Sequence, residues 1–81
     1  MNLVELTEFI VKNLVSDPES VSVKEFAGED ENTVIEVIVS DEDIKKVIGK
    51  NGKIANALRT VVQASSYANK EKKVKINIDS F

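Results

Sequence analysis

Apolar residues near the start of the chain recur every three or four positions, the spacing that aligns side chains on one face of an α-helix. This stripe is made up of Leu3, Leu6, Ile10 and Leu14. Asn2 and Glu5 have the spacing of a capping box, and Pro18 cannot continue a helix because it has no backbone N–H. We therefore expect a first helix that starts after Asn2 and ends before Pro18.

Two runs typical of β-strands come next. Val21 and Val23 alternate with polar residues as far as Phe26, and residues 33–40 are dominated by valine and isoleucine. The polar, acidic residues 28–32 between the runs predict a turn, so the two strands should form an antiparallel hairpin. One face of the second strand is expected to meet the helices, and it carries Ile35, Val37 and Val39.

The second half of the chain predicts two more helices. Ser40 begins a short helix, with Asp43 at its capping-box position, and Gly49 ends it. Gly52 permits a restart, after which a helical stripe of apolar and small residues extends to about Asn69. This stripe is made up of Ile54, Leu58, Val61, Val62, Ser65 and Ala68.

Apolar and polar side chains then alternate, which predicts a last strand with its apolar positions at Val74, Ile76 and Ile78. The order of elements is therefore α-β-β-α-α-β, which we interpret as an α+β fold. With 81 residues the chain is long enough for one domain, which we expect to cover residues 1–81.

Composition excludes several classes of function. The chain contains no cysteine and no histidine, so it forms no disulfide, no thiolate or imidazole metal site, and no Cys–His or Ser–His catalytic pair. We therefore predict a protein that is not an enzyme and that uses no metal, cofactor or small-molecule substrate.

No apolar run approaches the roughly 20 residues that span a membrane. The N-terminus also lacks the features of a secretory signal, so the expected location is the cytoplasm.

Charge is divided unevenly between the two halves of the chain. Residues 1–43 contain 12 acidic and 2 basic side chains, a balance of −10, whereas residues 44–81 contain 9 basic and 2 acidic side chains, a balance of +7. The two balances sum to the net charge of −3. The second half can therefore face a polyanion while the first half stays away from it.

The most informative stretch is Val47-Ile48-Gly49-Lys50-Asn51-Gly52-Lys53-Ile54, which predicts a Gly-x-x-Gly turn between two helices. Glycine lets a ligand approach the main chain closely, and a helix that begins at such a turn offers free N–H groups to phosphate. Lys50 and Lys53 add positive charge. The spacing fits neither the Walker loop nor the dinucleotide-binding fingerprint. Alone, such a turn is more typical of a plain helix corner, because glycine is common in turns, so the phosphate-binding interpretation depends on its flanking residues.

Together with Leu58 further along, these residues resemble the KH-domain signature, and the order of elements resembles the bacterial type II version of that fold. The likeness covers essentially the whole chain and extends to the small bacterial RNA-binding proteins that consist of one KH domain. It implies a three-stranded sheet with three helices packed on one face. It also implies a narrow groove that holds about four nucleotides of single-stranded RNA.

The resemblance also assigns roles to residues. Those expected to grip the sugar–phosphate backbone are Gly49, Lys50, Asn51 and Gly52, with Lys53 beside them. Those expected to line an apolar floor beneath the bases are Ile48 and Ile54, with Ala55 and Leu58 behind them. Lys46 and Arg59 either extend the phosphate track or belong to an ordinary solvated helix face.

The resemblance further implies an RNA chaperone that acts as a homodimer or with a second KH protein, with links to cell-wall growth, cell shape and cell division. Val34 and Ile38 lie on the sheet face away from the helices. They support a dimer because exposed apolar patches usually mark a contact with a partner. Because aromatic residues are scarce, we expect weak, salt-sensitive binding with little sequence preference. The alternative is a protein–protein adaptor with the same fold, which the acidic first half favours.

Three further features have ordinary interpretations. Residues 29–31 are acidic but lack the alternating ligand spacing of a calcium loop, so we expect a solvated turn. A second basic patch around the start of the last strand is expected to be solubilising, and it consists of Lys70, Lys72, Lys73 and Lys75. Tyr67 is expected to pack at the edge of the core or at a dimer contact.

Overall fold

The computed structural model of the protein describes residues 2–28, 32–68 and 73–81. Within these ranges the elements are α1 (Leu3–Lys12), a 3₁₀ turn (Pro18–Ser20), β1 (Ser22–Ala27), β2 (Thr33–Val39), α2 (Ile44–Ile48), a second 3₁₀ turn (Lys50–Gly52), α3 (Lys53–Ala68) and β3 (Val74–Ser80). The predicted α+β fold and the order α-β-β-α-α-β are confirmed. The expected acidic turn at 29–31 and the connector lysines Lys70 and Lys72 lie outside the described residues.

The three strands form one sheet in the order β1-β2-β3. β1 and β2 are antiparallel, with Val23 opposite Val37, as expected of a hairpin. β2 and β3 are parallel, with Ile35 opposite Ile76, because the chain crosses over through α2 and α3 between them. β2 is therefore the central strand, and β1 and β3 are the edges of the sheet.

One face of the sheet packs against all three helices. Ile35, Val37 and Val39 of β2 are each 0% exposed, as their alternation predicts. The other members of this core come from every helix and from β3, and they are Leu3, Val11, Val47, Leu58, Val62, Val74 and Ile76. Burying one such aliphatic side chain contributes about 1.5–3 kcal/mol, so this layer of contacts holds the helices on the sheet.

The aromatic side chains stay outside this core. The chain contains three phenylalanines, one tyrosine and no tryptophan. Phe9, Phe26, Tyr67 and Phe81 are all between 48% and 71% exposed. Tyr67 therefore does not pack at the edge of the core, and the rings are available at the surface for contacts with other molecules.

The N-terminal ends of α1 and α2 are stabilised differently. The N–H of Glu5 donates to Oδ1 of Asn2 at 2.8 Å, which confirms the predicted cap of α1. The expectation that Ser40 begins α2 is wrong, because residues 41–43 form a turn and the helix begins at Ile44. The side chain of Asp43 makes no capping bond to α2. It is held instead by a segment distant in sequence, which no local pattern reveals.

Candidate nucleic-acid interface

The turn between α2 and α3 uses backbone conformations that glycine and asparagine tolerate best. The φ angles of Gly49, Asn51 and Gly52 are 76°, 58° and 74°, all in the left-handed region. The N–H of Gly49 donates to the carbonyl of Lys45 at 2.8 Å, and the N–H of Gly52 donates to the carbonyl of Gly49 at 3.2 Å. These two bonds close α2 and hold the turn in shape.

Two adjacent N–H groups in this turn have no acceptor within the described part of the chain. Among the described residues, the N–H groups of Lys50 and Asn51 donate no hydrogen bond. They stand directly before α3, which begins at Lys53, so the positive end of the helix dipole lies beside them. Successive free N–H groups in an αR-αL turn form a concave anion site. With the exposed side chains of Lys50 and Lys53 nearby, the turn can hold a phosphate group.

Gly49 is also a point of close packing. A Cβ atom at Gly49 would lie 2.7 Å from Cγ1 of Ile54, whereas nonbonded carbons prefer about 3.5–4.0 Å. A Cβ atom at Gly52 would have Nδ2 of Asn56 as its nearest neighbour, 3.9 Å away. Glycine is therefore required at position 49 because a side chain would clash and because φ is positive. At Gly52 only the positive φ favours glycine. Ile54, which the resemblance assigned to the floor beneath the bases, covers Gly49 and faces α1.

An open groove of about 1200 Å³ runs between α3 and β3. One wall is a strip of α3 side chains, namely Arg59, Thr60, Gln63, Ala64 and Tyr67. The other wall is formed by residues 73–77, and the far end reaches the β1–β2 hairpin. Arg59 lies about 9 Å along the helix axis from Lys53. One extended ligand can therefore contact both the turn and this α3–β3 groove.

The groove runs along an open edge of β3. Thr33 is paired with Val74, and its N–H donates to the carbonyl of Lys73 at 3.1 Å. In a parallel pair, each residue bonds to both neighbours of its partner. Val74, Ile76 and Ile78 therefore turn their N–H and carbonyl groups away from β2, toward the open edge. Such groups can hydrogen-bond to nucleobases, as they do to added strands.

A buried carboxylate anchors the start of α2. Asp43 is 1% exposed, and it accepts hydrogen bonds from the N–H groups of Ser16 at 3.0 Å and Asp17 at 3.1 Å, and from the hydroxyl of Ser40 at 3.0 Å. The Ser16 N–H, aided by these groups and by the ammonium of Lys46, lowers the pKa of Asp43 to about 2, although burial acts in the opposite direction. The carboxylate thus ties the segment after α1 to the helix that leads into the Gly-x-x-Gly turn.

Lys46 takes part in this anchor. Its Nζ lies 3.5 Å from Oδ1 of Asp43 and also contacts Oγ of Ser16. An ammonium group engaged in this way is less available for phosphate than that of Lys50, which is exposed and has no ion-pair partner in the described part of the chain. The structure therefore favours a structural role for Lys46.

The structure brings only some of the expected site residues together. The residues at the turn are Gly49, Lys50, Asn51, Gly52 and Lys53, with the partly exposed Ile48 before them. Arg59 lies on the groove wall and its Nη1 is 3.4 Å from Oδ1 of Asn56. Ala55 and Leu58 are each 3% exposed and support the helix from the core.

Sequence reasoning missed Gln63 and the open edge of β3. Arg59, Gln63 and Tyr67 recur every four residues, a spacing that places them on one helix face. This polar stripe was a usable signal. The open edge was not predictable in the same way, because it depends on which strand pairs with β3.

Apolar surface is exposed elsewhere on the protein. A small cleft between α1 and α3 is lined by Ile10, Leu14, Ile54, Ala57, Leu58 and Val61. Val61 is 49% exposed. Val34 and Ile38, which motivated the dimer hypothesis, face outward on the sheet but are only half-exposed, opposite Phe26 and Ser22 of β1.

Acidic side chains do not converge on a metal site within residues 2–28, 32–68 and 73–81. In the same part of the chain, every helix is too short or too polar to cross a membrane.

Comparison with known proteins identifies the family. The family described as "KhpA/KhpB, KH domain" matches residues 4–78. RNA-binding protein KhpA of Clostridium perfringens is 51% identical over 70 residues, which cover 86% of this chain and 92% of that protein. RNA-binding protein KhpA of Borreliella burgdorferi is 40% identical over 77 residues, which cover 95% of this chain and 92% of that protein.

A solved structure shares the fold. Era, in complex with MgGDPNP and a segment of 16S ribosomal RNA, matches with a TM-score of 0.65 and 20% identity. The match covers 96% of this chain and 29% of the Era chain, so this protein spans less than a third of Era. The chain belongs to the KhpA/KhpB family of KH domains.

Proposed function

We propose that the protein binds single-stranded RNA through a backbone clamp formed by Gly49, Lys50, Asn51 and Gly52. The observation that carries this proposal is the pair of free N–H groups at Lys50 and Asn51, in a turn that opens α3. A phosphate of the RNA backbone would accept from these groups, and Lys50 and Lys53 would supply charge. The names of the relatives, which are RNA-binding proteins, agree with this function.

The α3–β3 groove would receive the bases. With a phosphate at the turn, the following nucleotides extend along α3 toward Arg59 and Tyr67. Their edges then meet the outward N–H and carbonyl groups of Ile76 and Ile78 on β3. KH domains hold about four nucleotides in this manner. The function is binding without catalysis, since no Cys or His is available as nucleophile or base.

The test of the clamp replaces Lys50 and Asn51 by Asp and keeps both glycines. Both side chains are exposed, so the fold should survive, which circular dichroism can verify. RNA binding should fall at least tenfold in a fluorescence-anisotropy titration, because carboxylates at the free N–H groups would repel phosphate. The matched control is Lys24→Asp with Ser22→Asp, which makes the same change in charge on the outward face of the sheet. Equal loss in both variants would contradict a local clamp.

We also propose that the protein acts as a homodimer or with a second, KhpB-like KH protein. The apolar cleft between α1 and α3, with Val61 exposed in it, supports this proposal. A second KH domain in the complex raises the effective concentration of RNA sites and compensates for a weak single site. Val61→Asp should convert a dimer to a monomer in sedimentation experiments. A wild-type protein that stays monomeric at high concentration rules out the homodimer.

The second candidate function is a protein–protein adaptor, favoured by the acidic first half of the chain. The same variants separate the two functions. If the Lys50 and Asn51 variant still binds RNA while Val61→Asp loses a protein partner, the adaptor is the better description.

We infer that weak, exchanging contacts with RNA serve an RNA chaperone in the bacterial cytoplasm, with effects on cell-wall growth, cell shape and division. Deleting the gene should then change cell dimensions. The wild-type gene should restore them, and the gene for the Lys50 and Asn51 variant should not. Full rescue by that variant would separate the cellular role from the clamp.

A further inference from the structure

Gln63 lines the α3–β3 groove, and among the described residues its amide has a hydrogen-bond partner at one end only. Its Oε1 accepts a hydrogen bond from the N–H of Val74 at 3.0 Å. This bond settles the orientation of the amide, because a backbone N–H needs an oxygen opposite it and not an NH₂ group. The Nε2 group is therefore the end left over, and it is a donor only.

This donor has no acceptor among residues 2–28, 32–68 and 73–81. Within the described residues, Nε2 of Gln63 is shielded from water and has no hydrogen-bond partner. Folded proteins rarely leave a buried donor unpaired, because the lost hydration is not replaced. Gln63 lines the groove, with Arg59 one helical turn before it and the exposed Tyr67 one turn after it. Because Nε2 is covered in the free protein, a ligand that displaces the side chains over it can supply the missing acceptor.

We propose that Gln63 reads one base of the bound RNA and selects a base with a carbonyl acceptor over a base with an amino group. This inference rests on the proposed function, because it requires RNA in the groove. With Oε1 held by Val74, the side chain offers only N–H donors to the base. Uracil O4 and guanine O6 accept such a donor, whereas cytosine and adenine carry an amino group at the corresponding position.

The position of Gln63 suits this role. It lies about 15 Å along α3 from Lys53, within the span of the roughly four nucleotides that a KH groove holds. The same RNA segment can therefore place a phosphate on the turn and a base at Gln63. The N–H of Val74 is the first outward N–H of β3, and the hydrogen bond to Gln63 already uses it. The Nε2 group of Gln63 therefore takes the place of this backbone donor near the far end of the groove.

The test compares binding of uridine and cytidine hexanucleotides, whose bases differ in the group at the 4-position. The wild-type protein should favour the uridine hexamer roughly 3- to 10-fold, the contribution of one hydrogen bond. Gln63→Glu at pH 8 keeps the shape and the bond to Val74 but turns the donor into an acceptor, so the preference should invert. Gln63→Met removes both hydrogen bonds and should bring the ratio of affinities close to one.

The control is Ala68→Glu, which adds the same charge at an exposed position of α3 that is not among the residues lining the groove. It should weaken binding of both hexamers equally and leave their ratio unchanged. A wild-type ratio of one, or a wild-type ratio that persists in Gln63→Glu, overturns the role of Gln63. If the Lys50 and Asn51 variant still loses RNA binding in that case, the proposed function stands. A wild-type protein that binds neither hexamer overturns both.

Thermal melting by circular dichroism establishes that each variant is folded. If Gln63→Glu does not fold, Gln63→Met decides the question. A wild-type ratio in the methionine variant then overturns the inference, and a ratio near one supports it.

Discussion

An alanine at Gly49 would bring its Cβ atom to 2.7 Å from Ile54 and would also have to adopt a φ of 76°. An alanine at Gly52 would make only an ordinary van der Waals contact, 3.9 Å from Nδ2 of Asn56, so that only the φ of 74° is unfavourable. We expect Gly52→Ala to lower the free energy of unfolding by about 1–2 kcal/mol, the cost of a left-handed residue. Gly49→Ala should cost about 1–3 kcal/mol more because of overpacking. Urea unfolding followed by circular dichroism measures both.

The control for this comparison is Gly49→Ala combined with Ile54→Ala, which removes Cγ1 and Cδ1 of Ile54 but keeps its Cβ, 2.9 Å from the added methyl group. The extra cost at Gly49 should shrink in the double variant, apart from the loss of Ile54 itself. Equal costs for the two single variants would argue against the close contact of Gly49 with Ile54.

Asp43 gives the stability of the protein a dependence on acid pH. Its folded-state pKa is lowered to about 2 from 3.8, so folding favours the ionised carboxylate. The stabilisation is therefore fully present above pH 3.8 and is lost as the pH falls through this value toward 2. The Asp43→Asn variant should be less stable than the wild-type protein at neutral pH. It should also lose less stability than the wild type between pH 3.8 and pH 2. Urea midpoints measured from pH 7 down to pH 2 test this, and an identical decline in both proteins would assign the effect to other carboxylates.

At the scale of elements, the two faces of β2 make different contributions. Ile35 is fully buried against the helices, whereas Ile38 faces outward and is half-buried. Ile35→Ala should lower the free energy of unfolding by about 2–5 kcal/mol through lost contacts and a cavity. Ile38→Ala, which removes the same atoms, should cost clearly less. Denaturant unfolding of the two variants is the measurement, and similar losses would indicate that the outward face is covered, as in a dimer.

The same elements show which features of the fold the sequence could predict. The faces of β2 and the cap at Asn2 followed from local patterns, because alternation and capping depend on residues close in the chain. The start of α2 did not, because Asp43 bonds to Ser16, which is 27 residues away. A capping box and a turn held by a distant backbone look alike in sequence.

The candidate site was predictable to a similar extent. The glycines and the lysine of the Gly49–Gly52 turn were predicted as site residues, because their residue types alone indicate close approach to the main chain and positive charge. The placement of Leu58 in the core, of Ile54 beside α1 and of Gln63 in the groove depends on how α3 is rotated against its neighbours. Helical spacing alone leaves that rotation open.

For the whole molecule, the separation of charge along the chain should make RNA binding sensitive to salt. Each phosphate that a cation neutralises on single-stranded RNA contributes about 0.7 to the slope of log affinity against log salt. Lys50→Ala should reduce this slope by about that amount. Lys46→Ala should leave it nearly unchanged, because Lys46 is engaged with Asp43 and Ser16. Anisotropy titrations across a salt series test both, and tight binding that ignores salt would contradict the proposed clamp.

The exposure of every aromatic ring has a consequence for spectroscopy. The chain lacks tryptophan, and its one tyrosine, Tyr67, is 61% exposed on the wall of the groove. Tyrosine emission should therefore change little when the core melts, since the ring is already in water in the folded protein. It should be quenched when a nucleobase stacks on the ring. The fluorescence of Tyr67 should therefore report whether the groove is occupied, and its intensity should reveal little about whether the protein is folded.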